Sequence, residues 1–392
     1  MAQTSRTVTS RAFVYYAPGD VRVETRQITA GPHDLLVKVE ACGRCGTDAS
    51  IFRKGHYKVD ANAPLILGHE LCGTLVWVGG NVMHLREGIS YRDGETLDPA
   101  YLDFQEGERV TVQSRIARYR RGLMLIEDPI TILSFFIDGA YSQYMRIDET
   151  LVRASAVLRV PGNVSDEAAA LAEPAACALE SIYSTPHPVG VDGDGRHLYR
   201  AGILPGGRTA IIGSGTVSLI YARLAKLEGA GTVYVLVRSE EKAQLVRRVL
   251  GEEVAPVNIG GLAEPEIVER MAELTGGYLL DDVVAACSDP AAQRLMLELY
   301  TSEGYAVGAC FGGVRERVDQ ANVDNNHYRM AKTVGSSGCS TRTLETILRW
   351  LQAGRLSLDG FSSPRRWTLD DPPADFFTTR DGGLKPVLRP WG

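Results

Sequence analysis

Short runs of alternating or apolar residues, separated by Gly, Pro and Asp, make up most of the first 80 residues. Alternation of apolar and polar positions is typical of a half-buried strand, and no stretch here repeats every 3.6 residues as a helix would. We therefore predict a mainly β region. Its predicted strands are residues 12–16, 21–24, 35–40 and 71–78, followed further along by 110–113 and 140–146.

The pattern changes near residue 165, where Ser165, Asp166 and Glu167 precede an alanine-rich apolar stretch. An acidic first turn followed by good helix formers predicts a helix over residues 168–183. Pro174 lies inside this stretch and must kink or divide the helix, because its ring blocks regular helical hydrogen bonding.

From residue 208 onwards, strand patterns alternate with helix patterns. This alternation predicts βαβ units, in which helices cover a parallel sheet. The segments 84–107 and 186–207 are predicted to be loops, and an irregular tail is predicted after residue 353. The predicted strands are 208–212, 232–237, 282–286 and 305–308, and the predicted helices are 217–227, 240–250, 291–300 and 343–353.

Composition and charge narrow the class of protein. A chain of 392 residues is long enough for two domains, and its 44% hydrophobic and 23% charged residues are typical of globular proteins. The formal charge of −6 argues against a general nucleic-acid binder, and no apolar run approaches the ~20 residues of a membrane span. Seven scattered cysteines argue against a disulfide framework and favour a reducing cytoplasm.

A glycine-rich turn separates the predicted strand 208–212 from the helix that follows. Gly213 permits a tight turn, and Gly215 lets the backbone approach a pyrophosphate. The helix start at Thr216 and Val217 offers N–H groups to that anion. Ser218 replaces a third glycine and is small enough for close helix–strand packing. The turn predicts a dinucleotide site, and the alternative is an ordinary strand-to-helix turn.

The end of the next strand indicates which dinucleotide would bind. An acid at this position would bind the ribose 2′-hydroxyl of NAD, but Arg238 and Ser239 stand here instead. Because a guanidinium suits a 2′-phosphate, we predict NADP(H) over NAD(H), with Lys242 as a weaker contact. The alternative is that Arg238 is solvated and that Glu240 or Glu241 binds the ribose.

A second group of residues has the chemistry of a metal site. Cys42 and Cys45 form a C-x-x-C pair, and His69 and Glu70 follow. Thiolate, imidazole and carboxylate together suit zinc, and three protein ligands with an open position are typical of a catalytic site. Glu173 could add a carboxylate. By itself the pair could also be a redox pair or half of a structural zinc site, and Cys45 and His69 could be ordinary core residues.

Together these motifs resemble the zinc-dependent medium-chain alcohol and polyol dehydrogenases, and the resemblance covers nearly the whole chain. It implies a GroES-like β domain over residues 1–175, an inserted Rossmann domain with a doubly wound parallel sheet over 176–334, and a return to the first domain over 335–392. The matching positions are residues 42–48, 68–70, 107–110 and 171–174, Gly213 with Gly215, and Gly335 with Ser336.

The resemblance also implies which residues bind the metal. Cys45, rather than Cys42, would be a zinc ligand, with His69 as the second. Glu70 and Glu173 would share the metal directly or through water. In these two carboxylates the chain resembles the sorbitol and threonine dehydrogenases. Cys42 would then be a packed structural thiol.

The implied activity is hydride transfer between NAD(P)(H) and a secondary alcohol or its ketone, the alcohol being a polyol, sugar or cyclitol. Thr47 would relay the proton, Asp48 would orient the zinc ligands, and Gly335 and Ser336 would contact the cofactor. Two alternatives remain: an amino-alcohol dehydrogenase of the threonine type, and a non-catalytic nucleotide-binding protein with the same fold. The expected partner is a small molecule, neither nucleic acid nor membrane.

The chain departs from the family in several places. Residues 113–137, where many relatives hold four cysteines around a structural zinc, contain no cysteine, so we expect one catalytic zinc and no structural zinc. The segments 84–105 and 186–202 are insertions relative to the family, and their sequence assigns them no role. Family analogy implies a homo-oligomer, either a dimer or a tetramer.

Overall fold

The computed structural model of the chain describes residues 5–56, 59, 63–85, 99–120, 123–314, 317–318 and 321–392. The chain divides into two units, of which the second is inserted into the sequence of the first. Within the described residues, none of the helices is long and apolar enough to cross a bilayer. The first unit comprises Met1–Ala176 with Cys339–Gly392, and the second comprises Cys177–Gly338.

Strands and helices are numbered along the chain. The strands of the described residues are β1 (Arg6–Ala17), β2 (Asp20–Ala30), β3 (Leu35–Gly43), β4 (Leu65–Ile66), β5 (Glu70–Val78), β6 (Arg109–Val112), β7 (Arg115–Arg120), β8 (Leu123–Ile132), β9 (Tyr144–Ile147), β10 (Val157–Arg159), β11 (Pro186–Val191), β12 (His197–Ala201), β13 (Arg208–Ile212), β14 (Thr232–Val237), β15 (Ala255–Asn258), β16 (Asp282–Ala285), β17 (Val307–Cys310), β18 (Lys332–Gly335), β19 (Ser362–Trp367) and β20 (Lys385–Leu388). The helices are α1 (Gly46–Lys54), α2 (Glu149–Arg153), α3 (Asp166–Ala170), α4 (Ala172–Tyr183), α5 (Thr216–Leu227), α6 (Glu240–Leu250), α7 (Glu264–Leu274), α8 (Pro290–Glu298), α9 (Asp324–Tyr328), α10 (Thr341–Gln352) and α11 (Pro373–Thr378).

The first unit is mainly β, as the alternating pattern predicts, and most of its strand pairs are antiparallel. In its described part, β1 and β2 make a long hairpin joined to β4, and a seven-stranded sheet runs in the order β10-β6-β5-β3-β20-β19 with β9 also on β3. Phe13 and Leu35 from early strands share one core with Trp367 and Phe376 from the end of the chain. The C-terminal segment therefore completes the domain that the N-terminal segment begins.

One helix of this unit was not predicted, and one prediction is wrong. The helix α1 lies in a region predicted to be mainly β, and it was not predicted because nine residues are too few to display a helical period. The tail predicted to be irregular contains β19, α11 and β20. The strand β20 pairs with β3, placing Val387 opposite Gly43 and Leu388 opposite Cys42. This pairing joins the two ends of the chain, and local pattern contains no signal for it.

The predicted helix over 168–183 is divided, as Pro174 requires, although the break comes at Leu171 between α3 and α4. Pro174 then lies in the first turn of α4, where a missing N–H costs little because that group has no helical partner. Ser165 caps α3, since its hydroxyl accepts a hydrogen bond from Ala168 N at 3.2 Å.

A parallel sheet forms the second unit, as the strand–helix alternation predicts. In the described residues its order is β15-β14-β13-β16-β17-β18, with every neighbouring pair parallel. From β13 the next two strands, β14 and β15, extend the sheet on one side. The chain then crosses back, and β16, β17 and β18 extend it on the other side of β13. Ligands of doubly wound sheets bind outside the carboxyl ends of the strands at this reversal. The turn after β13 is therefore the expected ligand-binding position of this sheet.

The inserted segment 186–202, predicted to be a loop, is a β-hairpin of β11 and β12. A buried contact anchors it to the sheet, because His187 Nε2 lies 2.8 Å from Asp282 Oδ1 at the start of β16. The helix α7 and the strands β15 and β18 were also not predicted, since each shows only a short apolar pattern. Of the other inserted segment, 84–105, residues 86–98 lie outside the described part of the chain.

Candidate functional site

Cys45 lies at the point where β3 gives way to α1. It is the N-cap residue of that helix, and its Sγ accepts a hydrogen bond from Thr47 N at 3.4 Å. Oxygen caps are the usual solution at this position, so a sulfur cap leaves the thiol at a helix start, where negative charge is favoured. Thr47 lies in the first turn of α1 and is exposed.

The pairing of β3 with β5 brings the next two candidate ligands to Cys45. Glu70 begins β5 and stands opposite Gly43 in the sheet, and His69 directly precedes it. Both side chains are buried. One possible ligand atom from each of Cys45, His69 and Glu70 lies within 4.8 Å of the others. The sheet register therefore gathers a sulfur, a ring nitrogen and a carboxylate oxygen at one place.

The buried Asp48 stands behind His69. Its Oδ1 lies 3.5 Å from His69 Nδ1, and its Oδ2 accepts a hydrogen bond from the Tyr141 hydroxyl at 2.6 Å. Burial lowers the pKa of His69, but the charges of Asp48 and Cys45 outweigh burial and hold this pKa well above its usual range. Tyr141 fixes one oxygen of Asp48, so the other oxygen remains directed at the imidazole.

Lys385, on β20, is the counter-charge of this group and was not identified from the sequence. Its Nζ donates to Glu70 Oε1 at 2.6 Å and to the Arg44 carbonyl at 3.1 Å. Burial lowers the pKa of Lys385, but Glu70, Cys45 and Glu173 together raise it above its usual value. No sequence signal marks this residue, because it follows Glu70 by 315 positions and lies in the tail predicted to be irregular.

Glu173 lies in the first turn of α4 and is buried. Ser114 donates its hydroxyl hydrogen to Glu173 Oε1 at 2.9 Å. Burial raises the pKa of this carboxyl, and the charge of Glu70 raises it further. A carboxylate oxygen of Glu173 lies within 4.8 Å of the sulfur of Cys339. Glu173 is therefore beside the three gathered residues but does not belong to their mutually close set.

The donor atoms fit one zinc ion. Asp48 Oδ1 and His69 Nδ1 are buried and make no hydrogen bond among the described residues, although they lie 3.5 Å apart. Glu70 Oε2 makes none either, and its charged neighbour is Lys385 Nζ at 2.6 Å. A buried polar atom without a partner costs about 1–3 kcal/mol, and a divalent cation would compensate the excess of acidic groups here. Sulfur, imidazole and carboxylate ligands together are those that zinc prefers.

Gly43 makes room for Glu70, and its replacement supplies a first prediction. A Cβ at Gly43 would collide with Glu70 Oε2 and lie 3.1 Å from Lys385 Cδ. We expect Gly43→Ala to lower zinc affinity about 10- to 100-fold, the usual cost of disturbing the support of a metal ligand. Chelator competition measures it.

Gly46→Ala is the matched control, because a Cβ at Gly46 would meet nothing within 4 Å. This variant should bind zinc as the wild type does. Equal zinc affinity of the two variants would contradict the placement of Glu70 at the metal.

The turn after β13 has the shape of a phosphate site. Gly213 has φ +137°, which other residues rarely adopt, and a Cβ there would lie 2.8 Å from Ser218 Oγ. Gly215 is the N-cap of α5 and gives that helix no side-chain cap. A Cβ at Gly215 would meet nothing within 4 Å, so the space in front of the helix is open. The first-turn N–H groups, beginning at Thr216 and Val217, fit an anion.

The residues predicted to choose the cofactor follow β14. Arg238 is 70% exposed, and its Nη2 lies 2.5 Å from Asp289 Oδ2. Ser239 caps α6, since its hydroxyl accepts a hydrogen bond from Lys242 N at 3.3 Å. Asp289 was missed as a partner, although Asp before Pro290 is a helix-start signal.

Gly335 and Ser336 lie at the other edge of the parallel sheet. Gly335 ends β18, and Ser336 continues the edge by donating its N–H to the Cys310 carbonyl at 3.4 Å. The Ser336 Oγ is buried and has no hydrogen-bond partner among the described residues. Both residues follow the carboxyl end of a strand, as dinucleotide contacts do in such sheets.

Two family models match the chain. Residues 31–90 match the alcohol dehydrogenase GroES-like domain, which includes the gathered Cys45, His69 and Glu70. Residues 216–353 match the zinc-binding dehydrogenase domain, which begins at the first residue of α5. Together the matches span about half of the chain.

The chain is also similar in sequence and in structure to known dehydrogenases. The chain is 29% identical over 274 residues to a sorbitol dehydrogenase of Halalkalibacterium halodurans, covering 69% of this chain and 67% of that one. It is 25% identical over 340 residues to an L-threonine 3-dehydrogenase of Pyrococcus furiosus, covering 84% and 83%. The crystal structure of a candidate zinc-binding dehydrogenase from Sinorhizobium meliloti 1021 bound to NADP has a TM-score of 0.74 at 23% identity, covering 98% and 100%.

Proposed function

Since the chain belongs to the zinc-binding dehydrogenases with an alcohol dehydrogenase GroES-like domain, we propose that it oxidises a polyol, sugar or cyclitol at a secondary alcohol with NADP(H), or reduces the ketone. The family transfers hydride between NAD(P)(H) and an alcohol or ketone. The observation that carries the proposal is the gathering of Cys45, His69 and Glu70 within 4.8 Å. The similarity to a sorbitol dehydrogenase supports the polyol class.

Zinc, when bound, supplies a Lewis acid that polarises the oxygen of the alcohol or carbonyl. Cys45, His69 and Glu70 would hold the ion, and Glu173 would supply a second carboxylate nearby. Asp48 Oδ1, 3.5 Å from His69 Nδ1, would orient the imidazole and leave its other ring nitrogen for the metal. No second zinc is proposed, because residues 113–137 contain no cysteine.

The remaining residues handle the proton and the cofactor. A nicotinamide cofactor, when bound, accepts or donates the hydride. The turn at Gly213 and Gly215, with the start of α5, would bind its pyrophosphate. The exposed hydroxyl of Thr47 would pass the proton of the alcohol towards solvent, since this side chain lies two residues from Cys45.

Metal analysis and a substrate panel test the function. We expect about one zinc per chain, and turnover of polyols or cyclitols in preference to amino alcohols. Preference for L-threonine-like substrates would instead establish the threonine type. Zinc-free protein that binds nucleotide but turns over nothing would establish a non-catalytic binding protein.

The choice of NADP(H) has its own prediction. Arg238→Ala should weaken NADPH binding about 10- to 100-fold, because a hydrogen bond to a charged group contributes about 1.5–3 kcal/mol. NADH binding should change less than about twofold. Nucleotide fluorescence measures both.

Arg247→Ala is the matched control. Arg247 lies on α6 and is exposed, as Arg238 is, but its guanidinium pairs with Glu240 at 2.8 Å. It should leave both affinities unchanged. A wild type that prefers NADH, or an Arg238→Ala protein with unchanged NADPH affinity, would refute the choice of NADP(H).

The proposal includes a cytoplasmic homo-oligomer, either a dimer or a tetramer. The odd number of scattered cysteines supports a reducing compartment, and family analogy supports the oligomer. Light scattering after gel filtration measures the number of subunits.

A further inference from the structure

The ion pair of Arg238 with Asp289 crosses the end of the central strand β13. Arg238 directly follows β14, and Asp289 lies just beyond β16. These two strands flank β13 on opposite sides, because Ile212 at its carboxyl end stands opposite both Leu236 and Ala285. The pair therefore connects the two loops on either side of the turn at Gly213.

The two carboxylate oxygens of Asp289 have separate partners. Its Oδ1 accepts a hydrogen bond from Ala291 N at 3.0 Å and so caps α8. Its Oδ2 binds Arg238 Nη2 at 2.5 Å. Burial raises the pKa of Asp289, but the Ala291 N–H and the Arg238 guanidinium outweigh burial and hold this pKa below its usual value. Asp289 is therefore charged at neutral pH.

This ion pair is easily exchanged. The Arg238 side chain is 70% exposed and that of Asp289 is 34% exposed, and exposed ion pairs contribute little stability. Glu240, the nearby acid on α6, pairs with Arg247 and not with Arg238. A phosphate offers the guanidinium more charge and a bidentate geometry. Asp289 is thus the carboxylate that a phosphate would replace at Arg238.

We propose that Asp289 is a cofactor-selectivity residue: it holds Arg238 across the end of β13 and competes with the 2′-phosphate of NADP for this guanidinium. The inference rests on the proposed choice of NADP(H). NAD has no 2′-phosphate, so its binding leaves the ion pair in place. Asp289 therefore lowers the affinity for NADP without a matching effect on NAD, and it narrows the preference that Arg238 alone would give.

Asp289→Asn is a sharp test, because asparagine is an equally good helix cap and only the charge is lost. Dissociation constants of NADPH and NADH would be measured by nucleotide fluorescence at low salt. The proteins are the wild type, Asp289→Asn, Arg238→Ala and the double variant. We expect Asp289→Asn to bind NADPH about 3- to 10-fold more tightly, with NADH affinity within about twofold. The gain should vanish when Arg238 is alanine.

Glu253→Gln is the matched control, because it removes an exposed carboxylate of the same unit, which pairs with Arg223, without touching the ion pair of Arg238 with Asp289. An equal gain in this control, or a gain that persists without Arg238, would overturn the inference in favour of a general charge effect. Unchanged or weaker NADPH binding by Asp289→Asn would overturn the inference about Asp289. The choice of NADP(H) would still stand if Arg238→Ala weakened NADPH binding. If no variant loses its selectivity for NADPH, both this inference and the proposed choice of NADP(H) are overturned.

Discussion

The Cys45→Ala protein is expected to lose its zinc and about 10³-fold in kcat/KM while keeping its fold. The loss follows because the Lewis acid lowers the activation barrier by several kcal/mol, and each 1.36 kcal/mol is tenfold in rate. Cys45 lies at the end of a helix, and its sulfur caps only Thr47 N. Zinc content by elemental analysis, kcat/KM and circular dichroism on the same preparation measure the outcome.

Cys42→Ala is the matched control within the same C-x-x-C motif. Burial, with the charges of Asp48 and Glu70, raises the pKa of Cys42 well above its usual value, so this thiol remains a neutral core group. The variant should keep its zinc and its kcat/KM and lose about 1 kcal/mol of stability. Loss of zinc from Cys42→Ala with retention in Cys45→Ala would exchange the roles of the two cysteines and refute the proposed ligand set.

The Lys385→Met protein is expected to be destabilised by about 3–5 kcal/mol when it is free of zinc. Removing one partner of a buried ion pair leaves the other charge uncompensated, and both Lys385 and Glu70 are buried here. Zinc should recover much of the loss, because the ion would neutralise Glu70. Urea unfolding of the zinc-free and zinc-loaded protein gives both free energies.

Two further variants identify the cause of the loss. The Glu70→Gln/Lys385→Met protein should regain most of the stability, since no unpaired charge remains. Lys38→Met removes the partly exposed pair with Glu40 and should cost at most about 1 kcal/mol. A loss in Lys385→Met that zinc does not reduce would separate Lys385 from the metal site.

Much of the fold could be predicted from the sequence, because its signals are local. Alternation of strands and helices from residue 208 predicted the parallel sheet, and the buried strand β13 followed by Gly213 predicted the turn. The helix α1 was missed because nine residues show no helical period. The hairpin at Pro186–Val191 was missed because proline and glycine usually mark loops.

Some residues of the candidate site could likewise be predicted from the sequence, and others could not. Residue chemistry and spacing selected Cys42, Cys45, His69 and Glu70, and the family resemblance chose Cys45 over Cys42. The structure brings Cys45, His69 and Glu70 together, while their roles as ligands stay predictions. Glu173 was selected by the same reasoning but lies beside this set. The structure alone supplied Lys385, because its contact with Glu70 spans 315 positions.

By itself the sequence determined which groups are available: the donor types for zinc, the glycines of the phosphate turn, and an arginine where NAD-binding strands end in an acid. The tertiary structure decided which charges meet. It placed Lys385 on Glu70, Tyr141 on Asp48 and Asp289 on Arg238. Electrostatic contacts depend on distance through space, and strand pairing sets that distance between segments that share no local pattern.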